Sequence, residues 1–184
     1  MFWSKILRFF SEDIAMDLGT ANTLLYTRDG GIIVNEPSVV AIDTRNNEVL
    51  AAGSEAKRAR GRTPKRIKTI RPMKRGVIAD FDTTSRMIVY FVNKAIGRSH
   101  LVKPSLVISV PTGITGVEKK AVIDAAATAG AGRVSLIEEP MAAAIGADLP
   151  VTEPVGTLIA DIGGGTSEVA VITMSAITVS PSIR

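Results

Sequence analysis

The sequence predicts an α/β protein, and two observations carry that expectation. From residue 81 onward, strand-like runs alternate with helix-like runs, the pattern of a mixed sheet layered with helices. The design of "IAMDLGTANTLLY" near the start also returns as "IADIGGGTSEVAVI" near the end: apolar strand, Asp, apolar residue, Gly, small turn, Thr, alternating strand. A repeat of this kind predicts two similar subdomains, each opening with a β-hairpin.

Composition bounds the reading. With 184 residues, 46% hydrophobic and 22% charged, the chain has the balance of a folded soluble protein. It contains no cysteine, which excludes disulfides and cysteine-ligated zinc or iron–sulfur sites. No apolar run reaches the roughly 18 to 20 residues of a spanning helix, and the start lacks a signal peptide's long apolar centre. These features predict a cytoplasmic protein.

The first segment, "MFWSKILRFFSED", sets Phe2, Trp3, Ile6, Leu7 and Phe10 at helical spacing against Ser4, Lys5, Arg8 and Ser11. Such a short basic amphipathic helix can lie in a membrane interface or dock on the protein's own core. Strand-like runs "IAMDLG" and "NTLLYT" follow, joined through Gly19, then "GIIVNEP" and "SVVAID" with a turn at Asn46-Asn47, predicting a β-meander. From Ala56 to Arg75 half of the residues are Lys or Arg with no acid among them. Two readings compete, a polyanion or membrane-surface patch and a solvated edge. Pro and Gly break any long basic helix and no aromatics interleave, which argues against nucleic acid.

Met87, Ile88, Phe91, Val92 and Ala95 predict a helix from Phe81 to about Ile96, ended by Gly97. "SLVISVP" reads as a buried strand. Thr115 and Glu118 have capping-box spacing, with Gly130 placed to close that helix. "RVSLIEEP" is a further strand and "MAAAIGA" a short helix packed through alanines. "LIADIGGG", "TSEVAVITM" and "AITVSPSIR" are three strand-like pieces. His100 stands alone, without the second histidine that a metal or catalytic role would call for.

The repeated turns carry the chemistry. Glycine is disfavoured inside strands, so the triplet Gly163, Gly164 and Gly165 predicts a turn whose backbone comes very close to something. Such turns leave N–H groups free to converge on phosphate oxygens. Two of them could hold a polyphosphate while Asp17 and Asp161 bind magnesium through its waters, with Thr20 and Thr166 adding hydroxyl donors. The plain alternative is two ordinary turns with exposed acids.

"DLGTANT", "EEPMAAAIGA" and "DIGGGTSE" resemble the first phosphate, first connecting and second phosphate motifs of the actin, Hsp70 and sugar kinase superfamily. "NEPSVVA", "GRTP", "IRPM", "GVIADF" and "IEEPMAAAIGA" narrow the resemblance to the bacterial MreB family of actin-like rod-shape determinants, over about Ile14 to Arg184. The resemblance implies two domains with RNase H-like cores around an ATP and Mg2+ cleft. It also implies self-assembly into filaments on the inner face of the cytoplasmic membrane, alongside the cell-wall elongation machinery. Residues 1–13 would be the membrane-binding helix, 14–148 the first domain with a smaller subdomain at about 32–66, and 149–184 the opening of the second domain. Asp17, Gly19, Thr20, Ala21 and Asn22 would form the first phosphate site, and Asp161, Gly163, Gly164, Gly165 and Thr166 the second. Asp17 and Asp161 would organise magnesium. Glu139 would orient or activate the attacking water with help from Thr166, and Glu138 is the adjacent alternative.

The resemblance also implies a chain nearly twice as long, with an adenosine-binding glycine motif and a second connecting segment that are not found here. Weak ATP binding and little hydrolysis are therefore expected of these 184 residues alone, with apolar faces left open on the last strands. The competing functions are a sugar kinase-like phosphotransferase on the same fold and a nonenzymatic membrane or polyanion binder resting on the N-terminal helix and basic stretch.

Overall fold

The computed structural model describes residues 13–59, 66–96 and 103–183. The expected N-terminal helix, the expected stop at Gly97 and His100 fall outside them, as does part of the basic stretch. Strands β1 (Asp13–Leu18), β2 (Asn22–Thr27) and β3 (Gly31–Pro37) form three strands of the expected meander, whereas its fourth run, "SVVAID", pairs in a separate sheet. Strands β4 (Val40–Asp43) and β5 (Val49–Ala52) lead into helix α1 (Gly53–Ala59), followed by β6 (Ile67–Ile70) and the short hairpin β7 (Met73–Lys74) and β8 (Val77–Ile78). Helix α2 (Phe81–Ile96), β9 (Ser105–Val110), α3 (Gly116–Thr128), β10 (Arg133–Glu138) and α4 (Glu139–Gly146) alternate as predicted. Strands β11 (Thr157–Ile162), β12 (Ser167–Thr173), β13 (Ala176–Val179) and β14 (Ser182–Ile183) end the described chain.

The main sheet has the order β10-β9-β1-β2-β3. Its β1, β2 and β3 pair antiparallel, while β9 pairs parallel with both β1 and β10. Period-two alternation buries Ile14, Met16 and Leu18 of β1 and Leu106, Ile108 and Val110 of β9 on one face. Met87, Ile88, Phe91 and Val92 of α2 and Val122, Ala125 and Ala126 of α3 fill the core against it. Each large apolar side chain taken fully out of water contributes about 1.5–3 kcal/mol. That burial, more than local propensity, holds the layer together.

Local chemistry sets the ends of α3. The Thr115 hydroxyl accepts from the Glu118 N–H at 3.2 Å and the Glu118 carboxylate accepts from the Thr115 N–H, closing the capping box. Gly130, at φ +97°, follows the last turn. Two expectations change. Strand β9 is buried on one face only, with Val107 39% exposed, because its other face opens onto a cleft. The piece "AITVSPSIR" is interrupted at Ser180 and Pro181, and β14 resumes beyond them along β12 in the antiparallel register that β13 began.

A small sheet of order β5-β4-β6 carries α1 and its own cluster of Val39, Ala41, Ala51 and Ala56. Glu36 joins it to the main layer by accepting from the Ser54 N–H at 2.8 Å and pairing with Lys94 of α2. The last sheet, β11-β12-β13 with β14 on β12, buries Ala170 and Ile172. The opposite face exposes Leu158, Ile162 and Val169, as expected of uncovered strands.

Candidate functional site

The alternation that buries Ile14, Met16 and Leu18 turns Asp17 to the other face of β1. There it stands opposite Ser109 of β9, whose Oγ donates to Asp17 Oδ1 at 3.2 Å. Burial pushes the Asp17 carboxyl above its ordinary value of 3.8; the Ser109 hydrogen bond opposes the shift, and the negative charge of Asp161 adds to it. A carboxyl whose ionisation is opposed by burial, and further by the charge of Asp161, sits in an environment that favours a cation.

The first turn, Gly19 to Ala21, is held from behind by Ser38. Its Oγ donates to the Gly19 carbonyl at 2.6 Å and its N–H to the Ala21 carbonyl at 2.9 Å. The second turn closes through the Gly163 N–H, which donates to the Thr166 carbonyl at 2.9 Å. The two turns touch: a Cβ built on Gly164 would lie 2.5 Å from the Ala21 Cβ, and one on Gly165 would run into Thr20. The close partner of the glycine backbone is thus the other turn.

Between the β7–β8 strands, Arg75 and Gly76 take φ of +50° and +75°, a two-residue turn with both centres left-handed. The Gly76 N–H donates to Thr20 Oγ1 at 2.8 Å, and a Cβ there would lie 2.7 Å from Thr166 Cγ2 and 2.6 Å from Pro111 Cγ. One hairpin tip therefore touches both turns.

These elements border a cleft of about 810 Å³, within the usual range of small-molecule sites. Asp17, Gly19, Thr20, Ala21 and Asn22 line it from the first turn, and Asp161, Gly163, Gly164, Gly165 and Thr166 from the second. Glu139, in the first turn of α4, lines the same cleft. Glu138 does not; it borders a separate depression with Lys119 and Ser175. Leu24, Tyr26, Ile32, Val107, Ile137 and Ile145 are among the apolar residues that complete the wall. Phe2, Trp3, Ile6, Leu7 and Phe10 lie outside the described residues.

Among the described residues, no three His, Cys, Asp or Glu side chains cluster as a metal site. Asp17 and Asp161 alone suit magnesium held by one or two carboxylates plus substrate phosphates, with its waters retained. Sequence reasoning missed Ser109, Ser38 and Gly76. Only Gly76 had a visible signal, as a glycine at the tip of "MKRGVI".

Two Asp-Gly hairpins that meet along one cleft, with the strand order found here, define an actin-like fold. The comparisons agree. The profile described as MreB/Mbl protein matches residues 11–184, and the chain belongs to that family. It is 51% identical to the cell shape-determining protein MreB of Pasteurella multocida over 100% of this chain and 54% of that one. It is 50% identical to Mbl of Bacillus subtilis over 95% of this chain and 53% of that one. The chain spans about half the length of the curated relatives it matches. Among solved structures, MreB5 of Spiroplasma citri bound to ADP superposes with a TM-score of 0.83 at 35% identity, covering 94% of this chain and 52% of that one. The same protein bound to AMPPNP matches equally. The MamK double helical filament gives 0.75 at 20% identity over 94% of this chain and 54% of that one, a likeness of fold alone.

Proposed function

We propose that this chain supplies the phosphate-binding half of an actin-like cytoskeletal ATPase, which forms membrane-associated filaments that organise cell-wall synthesis and maintain rod shape. The observation that carries the reading is the meeting of two Asp-Gly turns, Asp17 to Asn22 and Asp161 to Thr166, along one cleft. The relative solved with ADP and with AMPPNP supports adenine nucleotide as the ligand. Backbone N–H groups of both turns bind phosphate oxygens, and the Thr20 and Thr166 hydroxyls add contacts. Asp17 and Asp161 hold Mg2+, which neutralises phosphate charge when bound. Glu139 orients the attacking water. The filament, the membrane surface and the elongation machinery as partners rest on the family. The membrane contact rests further on the residue pattern of 1–13, which has the spacing expected of an amphipathic interfacial segment; no described helix is long and apolar enough to cross a membrane.

Titration of the 184-residue chain with ATP and Mg2+, beside Asp161→Ala, tests the reading. With the purine and ribose contacts of the family's second half not represented, weak binding that disappears in the variant is the expected result. Binding of equal strength in both proteins overturns it.

A further inference from the structure

Glu168 is 1% exposed, and no ion pair to it is found among the described residues. The pattern of β12 places it on the same buried face as Ala170 and Ile172, where an apolar side chain would satisfy burial without the cost of desolvating a carboxylate. Its hydrogen bonds show what the carboxylate does instead. Oε1 accepts from the Thr112 N–H at 3.1 Å and from Ser182 Oγ at 2.9 Å, and Oε2 accepts from the same Thr112 N–H at 3.1 Å. The Thr112 hydroxyl in turn accepts from Ser180 Oγ at 2.8 Å.

Thr112 belongs to the corner after β9 of the main sheet, whereas Glu168 and Ser182 belong to the last sheet and Ser180 to the link between its β13 and β14. The junction therefore spans the two sheets that carry the two turns. Glu168 lies only two residues beyond Thr166, and on the other side Pro111, next to Thr112, lies against Gly76, whose N–H holds Thr20. Contacts thus run without a break from the second turn through the β9 corner to the first.

We propose that Glu168 is a positioning residue: by clamping Thr112 it locks the last sheet to the main sheet and sets the spacing of the two phosphate turns. The proposal rests on reading those turns as a nucleotide site. Hydrogen-bond acceptance, more than charge, performs the clamping, because a single oxygen at the Oε1 position can serve both Thr112 and Ser182. Glutamine therefore replaces Glu168, and leucine does not.

The absence of cysteine makes the test direct. Spin labels are placed at Asp29→Cys, in the exposed β2–β3 turn, and at Thr152→Cys, in the exposed loop that hydrogen-bonds the β12–β13 turn through Val151 and Glu153. Distance distributions by pulsed electron resonance and Mg-ATP affinity are read for the parent, Glu168→Gln and Glu168→Leu. A narrow distribution is expected in the first two, and a broadened one with about tenfold weaker nucleotide binding in the third, the scale of coupling between linked elements. An unchanged distribution in Glu168→Leu overturns the proposal, as does broadened distance with unaltered affinity. If Glu168→Leu fails to fold, the double variant Ser180→Ala/Ser182→Ala removes two of the junction's bonds while leaving Glu168 itself in place, still accepting from the Thr112 N–H, and the same broadening is expected. If even the parent fails to bind Mg-ATP while the distances separate as stated, the nucleotide reading fails and the clamp stands.

Discussion

Gly164 packs on Ala21 so closely that a single added methyl group would come within 2.5 Å of the alanine Cβ. The two turns therefore tolerate no side chain between them. Gly164→Ala is expected to force them apart, costing about 1–3 kcal/mol as an overpacked contact and weakening Mg-ATP binding by about tenfold or more. Gly163→Ala is the milder control, since its Cβ would stand 3.3 Å from the Thr166 carbonyl oxygen. Calorimetric titration of both variants checks the order; equal losses would show that the close approach does not matter to binding.

Asp17 gives a pH dependence with a definite sign. Its folded pKa is raised above 3.8, chiefly by burial, so its contribution to stability is present at low pH and is lost as pH rises through the raised value. Without nucleotide, Asp17→Asn is thus expected to melt higher than the parent near neutral pH, with the advantage fading toward pH 3. With nucleotide, the same variant loses the magnesium dependence of binding. Melting curves with and without Mg-ATP test both halves, and an unchanged or lower melting point at neutral pH in the free protein contradicts the first.

Glu139 and Glu138 are neighbours in sequence that face different spaces. Glu139→Gln is expected to lower hydrolysis in a full-length relative-sized protein by about 10²–10⁴-fold, the usual contribution of a positioned acid–base group, while leaving nucleotide binding within a few-fold. Glu138→Gln is expected to leave both unchanged. Single-turnover phosphate release measures the difference, and similar rates for the two variants would remove Glu139 from the mechanism.

Glu36 behaves in the opposite sense to Asp17. Lys94 and the α1 N-terminus at Ser54 hold its carboxyl down to about 2, against an ordinary 4.5. Its stabilising contribution is complete above 4.5 and is lost as pH falls through about 2. Asp43, held to about 2 by Arg45, titrates over a similar acid window. Acid unfolding followed by circular dichroism is expected to be less steep in Glu36→Gln, with the remaining dependence reduced further by Asp43→Asn.

How far the chain could be read depended on whether the determining interactions were local. The α3 cap was legible because both its partners sit three residues apart. Helix α2 was legible because Met87, Ile88, Phe91 and Val92 repeat at helical spacing. Helix α1 escaped notice: it buries only Gly53 and Ala56, and its N-terminus is satisfied by Glu36 from another strand. Strands β13 and β14 both fall within the strand-like piece "AITVSPSIR", and only the break between them at Ser180 and Pro181 went unread. The site follows the same rule. Both turns were visible as motifs, whereas Ser109 and Ser38 reach them across the fold. Glu168 did leave a trace, as a charge at an inward position of an alternating strand.

The main core is drawn from one unbroken stretch of chain. Every residue in it lies between Ile14 and Leu136, and all five strands of its sheet are complete by Glu138. On a ribosome, the first phosphate turn can therefore be fastened by Ser38, Gly76 and Ser109 before the second has emerged from the exit tunnel. When β11 and β12 follow, Asp161 and Gly164 meet a surface already in place. Synthesis in the N-to-C direction thereby makes the first turn the mould and the second the cast.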